Sequence, residues 1–118
     1  MRNLKVKVKS AKGRSISSTR WLQRQLNDPF VKEAKLQGFR SRSAFKLIEI
    51  NNKFNLLKRG YSVLDLGCAP GGWCQVAAQK VGTKSSESMV VGLDLKSCEP
   101  IVGVKFIEIS RPEDAKNW

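Results

Sequence analysis

A glycine-rich segment in the middle of the chain has the composition of a ligand-binding turn. It reads Asp65-Leu-Gly-Cys-Ala-Pro-Gly-Gly-Trp73 and overlaps the end of the apolar run Tyr61–Leu66. Gly67 lets the chain reverse direction, and Gly71-Gly72 lets a ligand approach the backbone without a Cβ in the way. Free amides at the start of the next helix can donate hydrogen bonds to an anionic group. The segment therefore predicts a binding loop between a strand and a helix.

Asp94 is a second candidate binding residue, because it ends the next predicted strand, 29 residues after Asp65. A carboxylate there can accept hydrogen bonds from both hydroxyls of a ribose, which favours a nucleoside cofactor. Dinucleotide loops read Gly-x-Gly-x-x-Gly, and Pro70 fits that pattern poorly. The Gly-Lys-Ser/Thr of a Walker loop is absent. A helix entry that binds no ligand is the remaining alternative.

The residue types also exclude several kinds of site. The chain has no histidine, which rules out a Ser-His-Asp triad or a Cys-His pair within it. Cys68, Cys74 and Cys98 lack Cys-x-x-Cys spacing, so we expect no metal and three reduced thiols. A general base would be Lys, Asp, Glu, Tyr or a group on a partner.

The charge is concentrated in one half of the chain. Residues 1–59 hold 16 Lys and Arg against 3 Asp and Glu, whereas residues 60–118 hold 6 against 7. Such a field attracts a polyanion, most commonly nucleic acid. An acidic membrane surface and a solvated basic face are the alternatives. No apolar run approaches the roughly 20 residues of a membrane span, and we expect no membrane partner.

Several basic and aromatic side chains are candidates for nucleic-acid contact. Arg20, Arg40 and Arg42 suit phosphate groups, which position RNA without reading its sequence. Trp21 and Phe39 could stack on bases, although aromatic residues in such a pattern more often belong to the core.

Hydrophobic periodicity predicts the order helix, helix, strand, helix, strand, short link, strand. We expect an α/β fold with an incomplete, doubly wound, Rossmann-like parallel sheet, preceded by N-terminal helices. Residues 1–19 are predicted to form a basic, flexible arm, and residues 20–118 the domain. The predicted elements are a helical turn at Trp21–Leu26, helices over 28–37, 41–54 and 72–81, strands Tyr61–Leu66, Met89–Asp94 and Val104–Ile109, a polar loop over 83–88 and a last turn at 111–113.

The first predicted strand has little alternation, which is typical of a strand buried on both faces. In a doubly wound sheet that strand is central, yet here it would lack its second neighbour. A three-stranded parallel sheet leaves an apolar edge, which natural proteins avoid. We therefore expect a partner, self-association through this edge or a missing C-terminal half.

The loop resembles the cofactor motif of the FtsJ-type (RrmJ-like) ribosomal RNA methyltransferases. The likeness includes Gly38-Phe-Arg-Ser-Arg-Ser-Ala-Phe-Lys-Leu47 and spans roughly residues 15–109. It implies S-adenosylmethionine as cofactor and transfer of its methyl group to a ribose 2′-hydroxyl of large-subunit ribosomal RNA. It implies that Lys46 is the first member of the family's Lys-Asp-Lys-Glu catalytic set. The cofactor-binding residues that it implies are Gly67, Ala69, Gly71, Gly72, Trp73 and Asp94.

Lys46 taken alone would be a solvated cation on a basic helix. A lysine can orient a hydroxyl, or accept its proton where burial or neighbouring cations favour the neutral amine. Arg40 and Arg42, close in sequence, are such cations.

Two features depart from the family pattern. Ser110 stands where members usually have an Asp near the adenine, and Glu108 lies two residues earlier. The other catalytic Asp, Lys and Glu belong to a C-terminal part that this sequence does not contain. We therefore expect an inactive N-terminal half, with a noncatalytic RNA-binding module as the alternative. The expected location is the cytoplasm, with a mitochondrial alternative because the N-terminal region is basic and poor in acidic residues.

Overall fold

The computed structural model describes residues 15–83 and 88–111. They form four helices and a parallel sheet in the order β1-β2-β3. The elements are α1 (Ile16–Asn27), α2 (Pro29–Leu36), α3 (Ser43–Phe54), β1 (Val63–Leu66), α4 (Gly72–Val81), β2 (Val90–Asp94) and β3 (Val104–Glu108). The predicted α/β class, parallel sheet and short link between β2 and β3 are confirmed. No helix in these two ranges is long and apolar enough to cross a membrane.

The core lies between α4 and one face of the sheet. Val76, Val81, Val90 and Cys74 are the largest fully buried side chains. Val90 pairs with Val63 on one side and Val104 on the other, so three small branched residues form a flat row beneath the helix. A second cluster joins α3 to α4 through Ala44, Leu47 and Val76.

The prediction that the first strand is buried on both faces is wrong. β1 lies at an edge of the described sheet, and its burial alternates along the strand. Leu64 and Leu66 are 52% and 69% exposed, whereas Val63 and Asp65 are partly buried. The residues of β1 are the apolar types of a central strand. Because α4 covers only one face of the sheet, the side chains on the other face of β1 are exposed. The expectation that it lacks a second neighbour therefore holds within the described ranges.

Helix α1 is longer than the sequence predicted. It begins at Ile16 because the Ser15 side chain accepts a hydrogen bond from the amide of Ser18 at 3.1 Å. The flexible arm was predicted to extend to residue 19, but residues 16–19 are helical and belong to α1. Its residues 1–14, most of the predicted polar loop (84–87) and the final turn beyond Arg111 lie outside the described residues.

The boundaries of α2 are set by capping residues at its two ends. Asp28 Oδ1 accepts from the amides of Phe30 at 2.8 Å and Val31 at 3.3 Å, and Gly38 has a φ of +79° just after the helix. Helix α3 begins later than predicted, at Ser43. Phe54 ends this helix and is 60% exposed.

Candidate functional site

Asp94 connects two backbone segments at the carboxyl end of the sheet. Its Oδ2 accepts from the Ala69 amide at 2.8 Å, and its Oδ1 accepts from the Lys96 amide at 3.0 Å. These hydrogen bonds, that of Lys96 first, hold the pKa of Asp94 below its ordinary value. The carboxylate remains partly exposed, so a ligand at this end of the sheet can reach it.

The glycines of the loop have different roles. A Cβ on Gly67 would meet no atom within 4 Å, so this is the position where a ligand can approach the backbone. A Cβ on Gly71 would lie 3.2 Å from Ile101 Cδ1, and one on Gly72 would lie 2.6 Å from Ser41 Oγ. Other parts of the protein therefore occupy the Cβ side of Gly71 and Gly72, and the approach of a ligand to their backbone stays a prediction.

A cavity of about 240 Å³ lies beside the loop, which we call the loop cavity. Asp65 is one of its lining residues, and partial burial raises the pKa of the Asp65 carboxyl. Cys74 Sγ donates to Asp65 Oδ2 at 3.3 Å. The cavity is lined by Ser41, Ser43, Asp65, Leu66, Gly67, Cys68, Ala69, Pro70, Gly72 and Trp73. It combines a carboxyl group, two hydroxyls and exposed backbone.

A second cavity, of about 150 Å³, lies beyond the ends of β2 and β3, and we call it the Glu108 cavity. Its lining residues are Cys68, Lys96, Ser97, Cys98, Phe106, Ile107 and Glu108. Glu108 pairs with Asp94 in the sheet register, whereas Ser110 does not line the cavity. Because Cys68 lines both cavities, the two adjoin at the turn after β1.

Trp73 joins the start of α4 to the start of α3. Its indole Nε1 donates to the backbone oxygen of Ser43 at 2.8 Å. The side chain lines the loop cavity and stays 37% exposed. Part of the side chain is thus available to a ligand while its indole nitrogen is held by Ser43.

Lys46 lies three residues after Ser43 on α3. Its side chain is 64% exposed, and its Nζ lies 3.9 Å from Glu49 Oε2. It does not line either cavity. Its position permits contact with a substrate that arrives from solvent, and its catalytic role stays a prediction.

Arg40 fastens the loop to its neighbours. Its guanidinium donates to the backbone oxygens of Pro70 at 3.2 Å and Pro100 at 2.7 Å, and also to that of Glu99. The Arg40 amide donates to Gln75 Oε1 at 2.8 Å. One planar fork therefore joins three segments, the use to which arginine is best suited. The Arg40 guanidinium, predicted to contact RNA phosphates, is thus already hydrogen-bonded within the protein.

A groove of about 730 Å³ runs from α1 and α2 to Pro70. Its basic members are Lys35, Arg40, Arg42 and Lys96, and its aromatic members are Trp21 and Phe39. Trp21 is 53% exposed. Phe39 instead packs edge-to-face on Phe45 at 5.8 Å and borders the core.

Two of the arginines predicted to bind RNA belong to the N-terminal helical region. Arg42 forms an ion pair with Asp28, and its guanidinium lies 4.9 Å from the centre of the Phe30 ring. Arg20 is exposed on α1. Neither residue's RNA contact is tested by these positions, and both stay predictions.

The sequence reasoning missed two residues of the site. Gln75 receives the Arg40 amide through Oε1 and donates through Nε2 to the Gly38 oxygen at 3.0 Å. The sequence predicts no separate role for Asp65, the first residue of the loop motif. A glutamine on a helix gives no local signal of such pairing, whereas a carboxylate near the carboxyl end of a parallel strand does.

A family model described as FtsJ-like methyltransferase matches residues 39–117. The chain is similar to proteins named ribosomal RNA large subunit methyltransferase E. It is 50% identical to that of Ruegeria pomeroyi, over 99% of the chain and 54% of the relative. It is 56% identical to that of Xanthobacter autotrophicus, over 92% and 42%. The chain thus spans about half the length of these curated relatives.

The fold is similar to that of a protein from Plasmodium falciparum whose crystal structure is described as that of a ribosomal RNA methyltransferase. The TM-score is 0.53 at 45% sequence identity. The match covers 60% of this chain and 38% of the other. Sequence and fold comparisons therefore point to the same family.

Proposed function

The chain belongs to the FtsJ-like methyltransferase family, and we propose that it supplies the cofactor-binding part of an RNA 2′-O-methyltransferase. The cofactor proposed is S-adenosylmethionine, and the substrate a ribose 2′-hydroxyl of large-subunit ribosomal RNA, with the cytoplasm as its location. The single observation that carries this proposal is Asp94. It is a partly exposed carboxylate held in place by the backbone amides of Ala69, which lines the loop cavity, and Lys96, which lines the Glu108 cavity.

The chemistry of the two cavities fits the two ends of this cofactor. Asp94 can accept the ribose hydroxyls, and Glu108 offers a carboxylate in the smaller cavity. Glu108 lies two residues before Ser110, the position at which members of the family usually have an Asp near the adenine. Asp65, Ser41 and Ser43 offer polar groups in the loop cavity for an amino acid end. The residues proposed to contact the cofactor are Gly67, Ala69, Gly71, Gly72, Trp73 and Asp94, of which Gly71 and Gly72 would do so through backbone atoms.

When bound, S-adenosylmethionine supplies a methyl group activated by a sulfonium and carries its own leaving group. The protein's task is therefore alignment of a ribose oxygen with that methyl. Lys46 is the proposed catalytic residue of this chain, because its amine can orient the 2′-oxygen or accept its proton. Its exposure leaves it accessible to an RNA that approaches from solvent.

The groove between α1, α2 and the loop supports RNA as the partner. Its basic side chains suit a phosphate backbone, and exposed Trp21 can stack on an unpaired base. Arg20 and Arg42 are the arginines that we propose for phosphate contact. We do not propose a phosphate contact for Arg40, because its guanidinium already donates to three carbonyl oxygens of the protein.

Calorimetric titration of the folded chain with S-adenosylmethionine tests the proposal. We expect saturable binding that is lost in Asp94→Ala and retained in Glu99→Gln, a matched acidic control nearby. If a folded chain binds ribosomal RNA but not the cofactor, the noncatalytic RNA-binding module is the correct reading. Salt dependence of RNA binding does not separate the two, because phosphate contacts release counterions in both.

A further inference from the structure

Two cysteines lie side by side next to the proposed cofactor site. The Sγ atoms of Cys68 and Cys98 are 3.8 Å apart, and both residues are free thiols. A disulfide bond is about 2.05 Å long, so the sulfur atoms need to approach by less than 2 Å. Cys68 belongs to the turn after β1, and Cys98 belongs to the link after β2. A bond between them would join the two segments that Asp94 already connects.

We propose that hydrogen peroxide converts Cys68 and Cys98 into a reversible disulfide, and that this disulfide weakens cofactor binding at Asp94. The second half of this proposal rests on the cofactor site proposed above, whereas the first half depends only on the two thiols.

The accessible member of the pair reacts first. Both thiols line the Glu108 cavity, which is wide enough for a peroxide molecule. Cys98 is partly exposed, whereas Cys68 is only 5% exposed. The Cys98 sulfur attacks one peroxide oxygen and the O–O bond breaks. The hydroxide that leaves takes the Cys98 thiol proton and becomes water, so the product is a sulfenic acid on Cys98.

The second step closes the bond. The Cys68 sulfur attacks the Cys98 sulfur, the S–O bond breaks, and the departing hydroxide takes the Cys68 thiol proton as a second water. Two thiols and one peroxide thus give one disulfide and two waters, with two electrons passing from sulfur to oxygen. Burial raises the pKa of Cys68 to about 12, so Cys68 is protonated at neutral pH and its proton leaves in this second step.

The third cysteine, Cys74, takes no part in the proposed reaction. Cys74 is fully buried in the core beneath the sheet, and its Sγ donates to Asp65 Oδ2. Burial raises the pKa of its thiol as well. It does not line the Glu108 cavity, so peroxide reaches Cys98 rather than Cys74.

The bond would act on the cofactor site through the backbone. Cys68 directly precedes Ala69, whose amide donates to Asp94 Oδ2 at 2.8 Å. Cys98 follows the turn in which the Lys96 amide donates to Asp94 Oδ1. Drawing the two sulfurs together displaces the chain on both sides of these hydrogen bonds. The carboxylate then loses the orientation in which it can accept ribose hydroxyls.

Peptide mapping and calorimetry test the two halves separately. The reduced chain is treated with hydrogen peroxide, its remaining thiols are alkylated, and its peptides are analysed by mass spectrometry without reduction. We expect one cross-linked pair, Cys68 with Cys98. Affinity for S-adenosylmethionine should fall about tenfold, the effect of losing one charge-assisted hydrogen bond, and dithiothreitol should restore it.

Matched variants make the result specific. Cys74→Ala should still form the cross-link, whereas Cys98→Ser and Cys98→Ala should not, and circular dichroism should show that each variant is folded. A pair formed with Cys74, or Cys98 oxidised further without a cross-link, would overturn the disulfide. A disulfide that leaves affinity unchanged would overturn the coupling. A reduced chain that binds no cofactor would contradict the proposed function, while the peptide map would still decide the disulfide.

Discussion

The amide of Ala69 donates a hydrogen bond of 2.8 Å to Asp94 Oδ2, across the boundary between two adjacent parallel strands. The other carboxylate oxygen accepts from the Lys96 amide at 3.0 Å. Asp94 is therefore both part of the proposed binding site and the support of the loop that forms that site. Removing its carboxylate has two effects, one on the ligand and one on the loop.

Asp94→Ala is expected to lower the affinity for S-adenosylmethionine by more than about tenfold, because charge-assisted hydrogen bonds are lost to the ligand and within the loop. Isothermal titration calorimetry measures the change. Glu99→Gln removes a nearby negative charge and should leave the affinity within about twofold, since its charge effect is screened by solvent. Equal affinities for wild type and Asp94→Ala would remove Asp94 from the site.

Acid should weaken the fold through Asp94. Its pKa in the folded state is lowered from 3.8, first by the Lys96 amide and then by the Ala69 amide. The stabilisation is therefore complete above pH 3.8 and is lost as the pH falls through the folded-state pKa. The free energy of unfolding, measured by urea denaturation at a series of acidic pH values, should fall less with decreasing pH in Asp94→Asn than in wild type. Asp28, whose pKa is also lowered, contributes equally to both proteins.

Arg40→Ala should lower the free energy of unfolding by about 2 kcal/mol, because three carbonyl oxygens in two segments lose a charged donor. Arg42→Ala should cost about 0–1 kcal/mol, the range of an exposed ion pair. Urea denaturation of both variants measures the difference. If Arg42→Ala is the more destabilising variant, Arg40 does not stabilise the loop in the way its hydrogen bonds indicate.

Gly72→Ala should destabilise the protein by about 1–3 kcal/mol, the range for overpacking in a close-packed contact. The added Cβ would lie 2.6 Å from Ser41 Oγ. Thermal unfolding of Gly72→Ala and of the double variant with Ser41→Ala provides a double-mutant cycle. Removing the hydroxyl should recover most of the loss, and a purely additive cycle would show that the two residues do not collide.

Lys46→Ala should reduce methyl transfer by about 10²-fold or more, the contribution of a positioned acid or base. The assay uses tritiated S-adenosylmethionine and ribosomal particles, with a chimera that joins this chain to the remaining part of a full-length relative. Unfolding free energy should stay unchanged, because the Lys46 side chain is 64% exposed.

Lys53→Ala is the control for that assay, since it removes another lysine from the same helix. Its ammonium lies 5.4 Å from the centre of the Phe54 ring, away from both cavities. Its activity should match that of the unmodified chimera. Undiminished transfer in Lys46→Ala would end the catalytic assignment.

The strands, α4 and α2 could be predicted because their signals are local. Asp28-Pro29 supplies a cap and a preset φ, and Gly38 supplies the left-handed end, so α2 lies within one residue of its predicted bounds. The β1 loop was predictable for the same reason, since its glycines occur next to an apolar run.

The surroundings of β1 and of Gly72 could not be predicted in this way. Leu64 has the residue type of a buried strand, and its exposure depends on which elements cover each face of the sheet. Gly72 has the composition of a ligand-binding loop, yet its Cβ position faces Ser41. Both are long-range relationships, which a local pattern does not encode. The contacts of Arg40 with Pro70 and Pro100 belong to the same class.

Trp73 gives the protein an optical reporter of its own site. Indole emission shifts with the polarity around the ring, and this ring lines the loop cavity while its Nε1 is held by Ser43. The sequence has two other tryptophans, Trp21 and Trp118, and Trp21→Phe together with Trp118→Phe would remove their signals. Arrival of a ligand in the loop cavity could then be followed by fluorescence, without a label.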